Sequence, residues 1–142
     1  MDIRTLTPAY AVSPQIDPED MPAIAAAGFT TVINNRPDME IPPSHHTVVM
    51  EAAAKAAGLT LVTLPVTHAT LNAQTVATQK EAIMASSGPV LAYCASGTRS
   101  SIVWALGQAG TMATDEIITA AAAAGYDLSG LKPQLDTLAA GD

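Results

Sequence analysis

The chain has a single cysteine, Cys94, among its 142 residues. That excludes an internal disulfide framework and fits a reducing compartment. Charge is scarce as well: 13% of residues are Asp, Glu, Lys or Arg, about half the usual share. Six residues are basic against thirteen acidic, for a net charge of −7. A surface of that sign repels nucleic acid and anionic membranes, which argues against both as partners. No apolar run is long enough to span a bilayer, and the opening MDIRTLTPAY lacks the basic and hydrophobic regions of a secretory signal. The expected location is the cytoplasm. Linkers, internal repeats and charge runs are also missing, so residues 1–142 are expected to form one domain.

What is present reads as alternating strands and helices. Tyr10–Ser13 is a candidate first strand. Asp17-Pro18-Glu19-Asp20 combines an N-cap, a proline at the first helical position and first-turn acids, so a helix is expected up to Gly28. Phe29–Ile33 and Leu59–Val66 read as buried strands, with a helix between them opening at Ser44 or Thr47 and closing at Gly58. Asn72 caps a helix through Met84, Pro89–Tyr93 is a further strand, and Ser100 opens the helix that carries Trp104. Thr114 caps the next helix, and Lys132–Ala139 forms the last. This order predicts an α/β fold: a mostly parallel four- to five-stranded sheet with helices on both faces. Ligands of such sheets bind at the carboxyl ends of the strands. Three loops, Asn34–Asp38, Thr67–Thr70 and Cys94–Arg99, are expected to meet there, bringing Arg36, His68 and Cys94 together. Trp104 and Met112 are expected in the core.

The strongest feature is the run Cys94-Ala95-Ser96-Gly97-Thr98-Arg99-Ser100 between a strand and a helix. A compact loop of this kind aims backbone N–H groups and the positive end of a helix dipole at one point. A thiol placed there ionises easily, because the field that binds anions also stabilises a thiolate. Gly97 lets the backbone take positive φ, and Arg99 offers a planar, permanently charged fork to an oxyanion or persulfide. Ser96 and Ser100 can donate hydroxyl hydrogen bonds, Ser100 directly to the sulfur. Two of the three arginines, Arg36 and Arg99, fall in the predicted site loops. In so acidic a chain, that suggests an anion site.

The segments AVSPQI (Ala11–Ile16), AAGFTTVINNRPD (Ala26–Asp38), LPV (Leu64–Val66) and GPVLAYCASGTRSS (Gly88–Ser101) resemble the DUF442 family, the beta-lactamase hydrolase-like phosphatase domain. The resemblance spans nearly the whole chain. It implies a fold like the dual-specificity and tyrosine phosphatases, with Cys94 as nucleophile and Arg99 as the anion-binding arginine. Members occur alone or fused to metallo-β-lactamase-like enzymes, some acting on persulfides. Many carry arginine directly after the cysteine, where this chain has Ala95.

The residues favour sulfur over phosphate. Tyrosine phosphatases use Cys-x5-Arg, whereas four residues separate Cys94 from Arg99. Among rhodanese-like enzymes, the six-residue loop goes with sulfur transfer and the seven-residue loop with phosphate or arsenate. Dual-specificity phosphatases also carry an aspartate after the strand that ends in a Pro-Val-like pair, and Pro65–Thr70 holds no carboxylate. A missing general acid costs about 10²–10⁴ in rate. His68, or Asp38 if Arg36 does not simply pair with it, could replace that acid. Sulfur transfer needs none, because its leaving group is already stable as an anion. The main expectation is therefore sulfane-sulfur transfer through a Cys94 persulfide, with a small anionic or persulfide donor and a thiol or sulfur-metabolism enzyme as acceptor. A phosphomonoester hydrolase and a non-catalytic anion- or persulfide-binding module are the alternatives. No cofactor is expected, and His45-His46 lacks further ligand-like neighbours, so neither is a metal site.

Overall fold

The computed structural model describes residues 1–141 of the chain. Its strands are β1 (Arg4–Thr7), β2 (Tyr10–Ser13), β3 (Thr31–Asn34), β4 (Thr60–Thr63) and β5 (Val90–Tyr93). They form one sheet in the order β1-β2-β5-β3-β4. Only β1 is antiparallel, to β2 along one edge; all other neighbours are parallel. The α-helices are α1 (Met21–Ala26), α2 (Thr47–Ala56), α3 (Ala73–Ala85), α4 (Thr98–Gln108), α5 (Thr114–Ala123) and α6 (Lys132–Ala140). No helix among the described residues is long and apolar enough to cross a membrane.

The central strand explains both layers. All four residues of β5 are buried, and successive side chains point to opposite faces. Val90 and Ala92 join Tyr10, Val12, Ile33, Trp104, Ile117 and Leu135 in one core, beneath α4, α5 and α6. Leu91 and Tyr93 join Val32, Met21, Ile24 and Met50 in the other, beneath α1 and α2. Each fully buried side chain of this size contributes about 1.5–3 kcal/mol. Trp104 is buried, its ring stacked on Tyr10 with centroids 5.9 Å apart, and Met112 packs half-buried at the margin of the same core.

Several element ends differ from the sequence reading. The edge strand β1 was not anticipated: its residues, RTLT, have one buried position and no apolar alternation. β3 starts at Thr31 rather than Phe29 and runs on through Asn34. β4 stops at Thr63, but the chain keeps close to β3, with Leu64 N–H donating to Asn34 O at 2.9 Å and Val66 N–H to Asn35 O at 2.8 Å. The Asp17 signal first makes a 3-10 turn, Pro18–Asp20, and α1 follows it. α4 opens at Thr98, two residues before Ser100, and Ala113 rather than Thr114 is the N-cap of α5. Asn72 caps α3 as read, its Oδ1 accepting from Thr75 N–H at 3.0 Å. Because β3, β4 and β5 are parallel, the loops that follow them all leave by the same edge of the sheet.

Candidate active site

Cys94 directly follows β5 and has no exposed surface. Its sulfur accepts the Gly97 N–H at 3.2 Å. Gly97 sits at φ 94°, in the left-handed region, as N-cap of α4. A Cβ there would run into the Tyr126 hydroxyl, so both backbone angle and space require glycine. The neighbouring carbonyls are taken by donors from outside the loop. Gln15 N–H reaches Ala95 O at 3.2 Å, and the Tyr126 hydroxyl reaches Ser96 O at 2.9 Å. Burial pushes the Tyr126 phenol above its ordinary value, so it remains a donor. The first amides of α4, including Arg99 and Ser100, lack intrahelical acceptors and carry the positive end of its dipole beside the sulfur. Ala95, Ser96 and Thr98 form the exposed lip, with Ser96 Oγ donating to Thr98 Oγ1 at 2.9 Å.

Above the sulfur lies a cluster of charge. Arg99 Nη1 donates to Glu40 Oε2 at 2.8 Å and to Val66 O at 2.9 Å, while Nη2 donates to Glu40 Oε1 at 2.7 Å. Its guanidinium is held above its ordinary value first by Glu40, with the nearby Cys94 adding to the effect. Arg36 approaches the same carboxylate, its Nε 3.3 Å from Glu40 Oε1, and its Nη1 donates to Gln15 Oε1 at 3.1 Å. The Arg99 guanidinium, followed by Arg36, holds the Glu40 carboxyl below the usual carboxylate range. Two guanidinium groups therefore share one ionised carboxylate at the mouth.

Below the sulfur lies a neutral, buried network. Ser100 Oγ donates to Asn35 Oδ1 at 2.9 Å rather than to the sulfur, which corrects its expected contact. Asn35 Nδ2 donates to Leu64 O at 2.9 Å and to Gln79 Oε1 at 2.7 Å. Gln79 Nε2 donates to the Tyr10 hydroxyl at 2.9 Å, and that hydroxyl donates to Ser100 O at 2.8 Å. One amide side chain, Asn35, thus ties the ends of β3 and β4 to α4 and α3.

Of the carboxyl and imidazole candidates, Asp38 is placed differently from the expectation, whereas His68 lies in the expected loop. Asp38 pairs with neither Arg36 nor the sulfur loop. Its Oδ1 accepts from Thr47 N–H at 2.8 Å and Thr47 Oγ1 at 2.9 Å, so it secures the first turn of α2. His68 is exposed in the turn 67–70, where Thr67 N–H instead donates to Thr70 Oγ1 at 2.8 Å. His45 contacts Asp17 at 2.6 Å and His46 contacts Ile41 O at 2.9 Å, facing different partners. Sequence reasoning missed Glu40, Gln15, Gln79 and Tyr126. The Arg36–Glu40 spacing of four was a signal for the first, whereas nothing local marks the other three.

Residues 2–111 match the family described as beta-lactamase hydrolase-like protein, phosphatase-like domain. A beta-lactamase hydrolase-like protein of Xylella fastidiosa is 32% identical over 130 residues, which is 90% of this chain and 30% of that protein. The chain therefore spans less than a third of that relative. The structure of a candidate phosphatase from Neisseria meningitidis aligns with a TM-score of 0.84 at 36% identity, covering 97% of this chain and 99% of that one. Tk-PTP, 15% identical, shares the fold with a TM-score of 0.74 over 98% and 97% of the two chains. This chain belongs to the beta-lactamase hydrolase-like phosphatase-like domain family and has the fold of the tyrosine phosphatases.

Proposed function

We propose that the protein is a cysteine-dependent sulfurtransferase that carries sulfane sulfur on Cys94. The observation behind this reading is the state of the nearby carboxylates. Asp38 is committed to α2 through two hydrogen bonds from Thr47. Glu40 is an anion held by two arginines, and the turn after β4 contains no acid. Phosphomonoester cleavage calls for a proton donor to the leaving alkoxide, whereas sulfite or a thiolate departs without one. The thiolate of Cys94 attacks the outer sulfur of the donor. The donor S–S bond breaks as the new one forms, and its electron pair leaves with sulfite or the donor thiolate. The Cys94 persulfide, cradled by the Gly97 N–H and the start of α4, then passes its outer sulfur to an acceptor thiolate. The acceptor is a small thiol or a sulfur-metabolism enzyme, and the use of one reduced thiol fits the cytoplasm.

Incubation with thiosulfate or a low-molecular-weight persulfide, read by intact mass, should show a gain of one sulfur, about 32 Da, absent in Cys94→Ser. An unchanged mass with every sulfane donor would sink this reading.

A second reading, phosphomonoester hydrolysis through a phosphocysteine, is favoured by the fold and by the family's phosphatase-like designation. In it, Arg99 binds the phosphoryl oxygens and His68, exposed near the Val66 carbonyl that Arg99 contacts, supplies the proton. It predicts p-nitrophenyl phosphate turnover that vanadate blocks and Cys94→Ser abolishes. Anion binding with neither transfer nor hydrolysis would leave a sensing module.

A further inference from the structure

The geometry points to Glu40 as a charge filter, one that makes the Cys94 loop accept singly charged anions such as persulfides over doubly charged thiosulfate and phosphomonoesters. This rests on the anion-binding role of the loop and names the substrate class within it.

The argument begins with the donors of Arg99. Both Nη1 hydrogens are taken, by Glu40 and Val66 O, and one Nη2 hydrogen is taken by Glu40. Of the five donors on a guanidinium, that leaves Nε–H and one Nη2–H unclaimed by Glu40 or Val66, with the nearby Cys94 sulfur as their neighbour. An incoming anion has two options. It can displace the carboxylate and use the full fork, or it can bind the remaining edge with the carboxylate beside it. In the first case a charge already satisfied by Arg99 and Arg36 must be expelled. In the second, the anion sits within a few ångströms of a fixed negative charge. The first cost is the same for every anion, whereas the second grows with the charge of the anion, because Coulomb energy scales with the product of the charges.

The arithmetic of the mouth agrees. Arg36 and Arg99 bring two positive charges, and Glu40, its carboxyl held below the usual range by those arginines, removes one. Ala95 adds none. These side chains leave a single positive charge, before any charge on the Cys94 sulfur is counted, so the mouth does not neutralise a dianion. Val66 O and Gln15 Oε1 each accept a further hydrogen bond, from Arg99 Nη1 and Arg36 Nη1, which adds a second anchor to each guanidinium group.

Methanesulfonate and sulfate test this directly, being tetrahedral anions of similar size that differ by one charge. Neither contains sulfane sulfur, so binding is measured without transfer. Titrations at constant ionic strength follow the backbone amide resonances of residues 96–100. In Glu40→Gln, methanesulfonate affinity should rise about threefold and sulfate about tenfold, since the effect enters once for a monoanion and twice for a dianion. In Arg36→Gln both should weaken, sulfate more. Equal shifts for the two anions in Glu40→Gln, or none, would overturn the filter. A purely structural role for Glu40 moves both affinities together, so the ratio is the decisive quantity. If the ratio shifts as stated while no donor ever sulfurates Cys94, the filter stands and sulfur transfer alone falls.

Discussion

The polar groups below the Cys94 sulfur and those above it do different work. Below, Asn35, Gln79, Ser100 and Tyr10 are neutral, buried and joined by hydrogen bonds from four elements. Above, Arg99, Arg36 and Glu40 are ionised and about a quarter exposed, with side-chain accessibilities of 26%, 20% and 31%. A buried amide network holds only if each member is satisfied, so it fixes geometry. Ion pairs in partial contact with solvent add little stability, so they are free to set charge. The contrast is that the floor shapes the loop, whereas the rim decides what may approach it.

Mutations on either side should separate the two roles. Asn35→Ala strands the Ser100 hydroxyl, the Gln79 amide and the Leu64 carbonyl, and should lower unfolding stability by about 3 kcal/mol in urea titrations. Gly97→Ala forces a side chain into left-handed backbone and against Tyr126. Sulfur transfer should fall by about 10²-fold in a stopped assay, since small misplacements of a reacting group are that costly. Tyr126→Phe in the same chain should recover part of the loss. On the rim, Arg99→Lys should weaken anion binding about tenfold while leaving the urea midpoint nearly unchanged, because an ammonium cannot present a planar fork. If instead it destabilises as much as Asn35→Ala, the division between floor and rim fails.

Smaller effects sharpen the same contrast. Asp38→Ala should cost about 1 kcal/mol of stability through the lost cap on α2, with transfer rates within about twofold of the parent. A large rate loss with an altered pH profile would return Asp38 to the chemistry. The rim pairs also predict a pH signature. The folded-state value of Glu40 is lowered from 4.5, so its pairing with Arg99 contributes fully above that value and is lost as the carboxylate protonates below it. The effect is modest, at most about 1 kcal/mol at this exposure. Glu40→Gln should therefore lower the neutral plateau of the stability profile by that amount, leave the low-pH end unchanged, and so flatten the acid limb slightly.

Much of the fold could be read from local patterns. The β5 run from Val90 to Tyr93 is apolar because both its faces are covered, and the glycine at 97 sits where the backbone must reverse. Asn72 and Gly28 marked helix ends through rules that need only a few neighbouring residues. The edge strand β1 escaped notice because an edge buries so little that its residues carry no alternation. At the site, the sequence named Cys94, Arg99 and Arg36 but assigned Asp38 and Ser100 partners they do not have. Their actual partners, Thr47 and Asn35, are no less ordinary in sequence. Gln79 looks like any polar residue on an amphipathic helix, yet it is 1% exposed, because only folding brings Asn35 and Tyr10 to it. Glu40 reaches Arg99 across 59 residues, beyond any local rule.

The lone thiol has one more consequence. Should peroxide convert Cys94 to a sulfenic acid, these 142 residues offer no other thiol to trap it as a disulfide. Recovery then depends on a small reductant threading past the Arg99–Glu40 pair to a sulfur with no exposed surface. The same enclosure that steadies the reactive atom thus also slows its repair, and guards it from oxidants in equal measure.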